Sequence, residues 1–203
     1  LTDQRGDTAV KIPKITAHLS PLHMLKGDIR INTLMIGSPT VRLYRKNKNA
    51  PLNIQFVLDK LAGDSTKKKS RLPNIRINQI QLYDGYASYN VESVQKQNEQ
   101  FTPHHIEVKN ILCNLSLKKL NSDTLSLYIR SIRGEESSGI KIEQLQAKVN
   151  ATPEEIDIES LYLEMPSSEL HADHLTLGVN DKKRFHIYGN IYSDAITARD
   201  FKA

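Results

Sequence analysis

The stretch Ile29–Arg45, IRINTLMIGSPTVRLYR, is rewritten at Ile75–Asn90 as IRINQIQLYDGYASYN, an offset of 46 residues. The first four residues are identical, and the apolar positions that follow coincide. Counted from the start of each copy, apolar side chains stand at positions 1, 3, 6 and 8: Ile29, Ile31, Leu34 and Ile36, then Ile75, Ile77, Ile80 and Leu82. The pattern returns as Ile106, Val108, Ile111 and Cys113, as Ile140, Ile142, Leu145 and Ala147, and as Ile156, Ile158, Leu161 and Leu163. Val41 and Leu43 extend the first copy. The starts are 46, 31, 34 and 16 residues apart, so a solenoid of fixed period is excluded.

A strand alternates its side chains between two faces. The unit alternates too, but its phase slips by one residue between positions 3 and 6. One extra residue is a β-bulge, which bends the strand and returns the later side chains to the earlier face. Without it each unit would put half its apolar residues into water. The outward set is then Arg30, Asn32, Arg76, Asn78, Glu107, Lys109, Lys141, Glu143, Asp157 and Glu159, all polar. The expectation is a mainly β chain: a curved, mostly antiparallel sheet of about a dozen strands, bulged at similar levels. Its apolar face must be covered. The sheet folds on itself as a flattened sandwich or barrel, or stays an apolar trough filled by something else; composition alone favours the sandwich.

The pass along the chain adds punctuation. AVKIPKITAHL (residues 9–19) reads as an early strand, with Pro13 marking an edge or a bulge. IGSPT reads as a tight turn between strands, and YDGY (residues 83–86) as the Asp-Gly of a two-residue hairpin. LNSDT and VNDKKR are further turns. One amphipathic helix is expected over 53–62, from Ile54, Val57, Leu58 and Leu61, with Asn53 as cap and Gly63 as stop. Loops are expected over about 64–73 and 94–105. The strand pattern resumes after each, so 1–203 reads as one β-rich section.

The 203 residues carry a net charge of +5 and no Trp, with only 4 Phe, which leaves little for a base-stacking platform. The charge reads as a solvated face, and no nucleic-acid partner is expected. No apolar run approaches the roughly 18 residues of a membrane helix. The chain begins at Leu1, so it reads as processed or excised, with any anchor upstream. One cysteine forms no internal disulfide and leaves the compartment open. Cys113 shares a face with Ile111 and reads as a structural thiol. His104–His105, and His171 with His174, are each placed on opposite strand faces, so no metal site is expected. No P-loop, GxGxxG, GxSxG or HExxH occurs. No catalytic residue and no cofactor are nominated.

The phrase carried by Ile29, Ile31, Leu34, Pro39, Val41, Leu43 and Tyr44, followed by a basic stretch and PLNIQFVLDKLA (Asn53, Ile54, Gln55, Phe56), resembles the AsmA-like superfamily. Within it, the TamB-type translocation and assembly module proteins of Gram-negative envelopes are most similar. Ile156, Leu161, Pro166 and Leu170 repeat the strand–Pro–strand part, and the opening segment to Gly27 resembles what precedes the unit there. The likeness covers most of the chain, and PLNIQF after SPTVRLYR is its distinctive part. The resemblance implies a periplasmic protein held in the inner membrane by an upstream helix. It implies a long apolar groove that moves phospholipid towards the outer membrane and assists an outer-membrane assembly protein. The groove candidates are then the isoleucines, leucines and valines of the five units with Val41 and Leu43. Lys67, Lys68 and Lys69 are candidates for head-group contact, though they read first as a solvated loop. The alternative is a structural β-module that pairs with neighbouring sections without lipid.

Overall fold

The computed structural model describes residues 1–3, 5–21, 29–57, 75–96, 101–120, 124–179 and 185–201. Among them, twelve strands form one sheet: β1 (Val10–Lys11), β2 (Lys14–Leu19), β3 (Ile29–Gly37), β4 (Thr40–Arg45), β5 (Ile75–Val91), β6 (His105–Leu120), β7 (Leu125–Glu136), β8 (Lys141–Ala151), β9 (Glu155–Met165), β10 (Ser168–Val179), β11 (Phe185–Gly189) and β12 (Tyr192–Ala195). The sheet is open: β1 and β11 end its hydrogen-bonded path and do not meet.

The registers arrange these strands on nine lines. Val10 opposes Val41 and Lys14 opposes Gly37, so β1 and β2 are one edge line broken at Ile12–Pro13. β3 and β4 are likewise one line, because both run parallel to β5 at the 46-residue offset of the repeated phrase. Ile29 lies beside Ile75, Ile31 beside Ile77, Leu34 beside Ile80 and Ile36 beside Leu82. The two copies are therefore neighbours in space, residue against matching residue. The Asn78 amide donates to Asn32 at 3.5 Å, and the Ser38 hydroxyl to Asp84 at 2.8 Å. From β5 to β10 every strand pairs antiparallel with the next in sequence. β11 and β12 share the outer side of β10. Nine lines about 4.8 Å apart make a sheet roughly 40 Å across.

The inferred slips are in the registers. β3 carries an extra residue at Asn32 against β2, β6 at Asn110 against both neighbours, β8 at Glu143–Gln144 against β7, and β9 at Ser160 against β8. Asn110 and Ser160 hold left-handed φ of 54° and 51°, the conformation that inserts a residue without breaking the strand.

Four expectations are corrected. Tyr83–Tyr86 is no hairpin: Asp84, φ 54°, is a bulge in the middle of β5, whose ladder to β6 continues on both sides. Ser38–Pro39 is no reversal either, since β3 and β4 continue along the same neighbour; Ser38, φ 49°, kinks the line. The sandwich favoured by composition is not formed among the described residues, where strands make their substantial contacts only with hydrogen-bonded neighbours and no second layer stacks on the sheet. The helix begins at Gln55 and is described to Val57; the rest of 53–62 lies outside the described residues. Asn53 does not cap it. Its side chain clamps β4, accepting from Tyr44 N at 3.2 Å and donating to Arg42 O at 3.1 Å, and it also reaches Asp3 at 3.3 Å.

Burial is correspondingly thin. The accessible surface is 14146 Å². A compact monomer of this mass exposes about 9,600 Å². Among the described residues, the buried apolar ones are Ala9, Val91, Ala147, Met165, Ala172 and Leu175, mostly small.

At the far edge, Gly189 holds φ 141°, and a Cβ there would strike the His174 carbonyl oxygen. Gly189→Ala is expected to cost the edge about 1–3 kcal/mol. Amide hydrogen exchange checks this: protection falls in β11 while β6 and β7 are unchanged.

Candidate functional site

Residues opposed across a ladder share a face, so the registers assign the sides. Leu82 opposes Cys113, Gly85 opposes Ile111, Ala87 opposes Val108 and Tyr89 opposes Ile106. Cys113 opposes Ile132, which opposes Leu145, which opposes Leu163, which opposes Leu170. Gly134 opposes Ile142, Val149 opposes Ile158, and Ala151 opposes Ile156. Val41 and Leu43 stand beside Ala87 and Tyr89. All the groove candidates therefore lie on one face, Ile75 by its backbone position. The described candidate side chains are half-buried, save Ile156, which is 39% exposed. A closed core would hide them; here water reaches them all.

Sequence reasoning missed part of this face. Leu125, Leu127, Ile129 and Ile132 of β7 join it through Leu117, Leu115 and Cys113. Their slip falls two residues later than in the repeated unit, at Arg130–Ser131, so the 1-3-6-8 pattern passes over them. Plain alternation over 125–129 was the available signal.

A cleft of about 340 Å³ lies on this face between β5 and β8. Ile106, Val108, Ile111, Ile132, Ile140 and Ile142 wall it, and Phe101 stands at its mouth. Gly134 forms its floor, where a Cβ would come within 3.0 Å of Val108. The segment before β6 is fastened by His105, whose ring bonds Asn90 through Nδ1 and the Val94 carbonyl through Nε2 at 2.8 Å. That buried ring is structural, not a ligand.

Glu136 closes one end of the cleft and is 8% exposed. It accepts from Glu107 N at 3.1 Å, Ser137 Oγ at 3.1 Å, Ser138 N at 2.7 Å and Ser138 Oγ. Burial pushes its carboxyl up, but the Ser138, Glu107 and Ser137 donors together outweigh it and hold the group below its usual value. It is a satisfied anion rather than a general acid. Burial raises the Cys113 thiol, so it is no ready nucleophile.

The other face is polar, with exposed pairs such as Lys141–Glu143 at 2.8 Å and Lys109–Glu107 at 3.2 Å. Water and salt screen pairs of that exposure, so this face is solvated rather than stabilising. Lys67, Lys68 and Lys69 lie outside the described residues. At the N-terminal edge Asp3 accepts from the Tyr44 hydroxyl at 2.7 Å, and Arg5 pairs with Glu92 at 2.7 Å while covering the Tyr44 ring at 4.7 Å. His171 and His174 do not sit on opposite faces. β9 and β10 slip together, so Ala172 and Leu175 both point to the apolar side and both histidines to the polar side. No family model, curated protein or solved structure matches this chain.

Proposed function

We propose that the apolar face is a non-catalytic groove for phospholipid acyl chains, one section of an envelope protein that carries lipid towards the outer membrane. The observation behind this reading is that, among the described residues, no other layer covers the isoleucine- and leucine-lined face of the sheet. Leaving such a face in water costs about 25 cal/mol per Å². An acyl chain laid on it regains about 0.8 kcal/mol per buried CH₂. The strand-to-strand rows repeat one chemistry, so neighbouring positions hold a chain about equally well. A lipid can then move along the face without exposing its tails, with its head group at the wet rim. Equivalent weak contacts suit movement; a single tight site would stall it. The resemblance to AsmA-like proteins points the same way and carries the periplasmic location, the inner-membrane anchor and the outer-membrane assembly partner.

The test is lipid extraction and native mass spectrometry on the chain purified without detergent, before and after mixing with phosphatidylethanolamine–phosphatidylglycerol vesicles. At least one phospholipid per chain is the expected result. A lipid-free chain that takes up none from vesicles, and associates through its edge strands instead, overturns it in favour of a structural β-module.

A further inference from the structure

We propose a divalent cation site on the polar face, formed by Glu169 and His171 of β10 with Asp194 of β12. One ligand atom from each of the three lies within 4.8 Å of the others. His171 Nε2 is 3.8 Å from Glu169 Oε1. The site is independent of the apolar groove, on the opposite side of the sheet.

Three features make this more than a chance meeting of charges. The donors are an imidazole and two carboxylates, the mixed nitrogen–oxygen set that suits Zn²⁺ with positions left for water. Bonds of about 2.0–2.2 Å set neighbouring tetrahedral ligands roughly 3.3–3.6 Å apart, so these exposed side chains close in by up to about 1.5 Å. The surroundings hold the ligands as metal sites do. The Tyr162 hydroxyl donates at 2.7 Å to Glu169 Oε1, the carboxylate oxygen that faces His171 Nε2, and so fixes its position. The Tyr162 and His171 rings pack at 5.0 Å. Ser193 Oγ lies 2.7 Å from the Glu169 carbonyl oxygen and 2.9 Å from that of Ala195, sharing its one proton between them beside Asp194.

The cation ties the sheet's last strand to its neighbour. β12 is four residues long and pairs with β10 through only two register partners, Glu169↔Ala195 and His171↔Tyr192, with a bulge between. Two ligands on one strand and one on the other make the ion a cross-strand staple. Its absence frees an edge whose exposed side chains, Ile191, Tyr192 and Ile196, are apolar.

The experiment is calorimetric titration of the intact chain with ZnCl₂, with hydrogen exchange of residues 192–195 read with and without the ion. A saturable 1:1 site is expected, with protection of β12 raised at least ten-fold. His171→Ala and Asp194→Asn should each weaken binding at least ten-fold. His174→Ala, which removes a similarly exposed imidazole paired with Asp157 at 3.6 Å, should leave it unchanged. Circular dichroism confirms that each variant is folded. The proposal is overturned by binding that survives both His171→Ala and Asp194→Asn, by binding lost equally in His174→Ala, or by no saturable site below about 1 mM.

Discussion

Ile142→Asp is expected to reduce phospholipid loading at least 100-fold while the protein stays folded. Ile142 walls the apolar cleft and opposes Gly134, so a carboxylate there lies against any chain seated in it. Placing a charge against hydrocarbon costs several kcal/mol, and about 2.7 kcal/mol is already 100-fold. The fold loses less. Ile142 is half-buried in the free protein, so the substitution gives up only part of the roughly 1.5–3 kcal/mol of a fully buried side chain. Lys141→Glu, one residue away on the polar face, is the control and should load normally. Extracted lipid per chain and a thermal melt are the two readouts. A folded Ile142→Asp protein with normal loading would refute the groove. Unfolding of both Ile142→Asp and Ile77→Asp would show that the face is needed as core.

Glu136→Ala is expected to be the most destabilising single change at the cleft, by about 2–4 kcal/mol in a urea melt. It strips partners from the Glu107 and Ser138 amides at once, and an unpaired buried donor costs about 1–3 kcal/mol. The pH dependence has a definite sign. The folded carboxyl lies below its ordinary value of 4.5. Its stabilisation is therefore complete above that value and is lost as pH falls through the folded value. The stability gap between the parent and Glu136→Gln should hold from pH 7 to 5 and narrow below 4.5. A gap that widens on acidification means the carboxyl is protonated in the fold.

The slips in the repeated unit were legible because four apolar residues out of phase have one inexpensive solution, an inserted residue. Asn110 and Ser160 adopt it. The Asp84-Gly85 pair was not legible, because hairpins and bulges ask the same thing of it, a left-handed φ. Only the pairing of Ala87 with Val108 beyond it decides for a bulge. The parallel step from β3 to β5 was out of reach of local pattern, since identical phrases fit parallel or distant strands equally. Composition misjudged the layer count because it measures how much apolar surface exists, not what lies on it. The Glu169–His171–Asp194 group was hidden for a similar reason. Asp194 is brought there by an edge pairing, and the paired slip in β9 and β10 overturns simple parity for His171 and His174.

The same parallel step divides the molecule by the chain entropy of its pairings. β5 to β10 are joined strand to adjacent strand and can close one hairpin at a time with little loop entropy. β1 to β4 form a two-line hairpin that, among the described strands, joins the rest of the sheet where β3 and β4 lie along β5. That contact spans a fixed separation of 46 residues, whereas β5 and β6 first meet at Asn90 and His105, so securing the N-terminal strands to the sheet costs more chain entropy than closing the neighbouring hairpin.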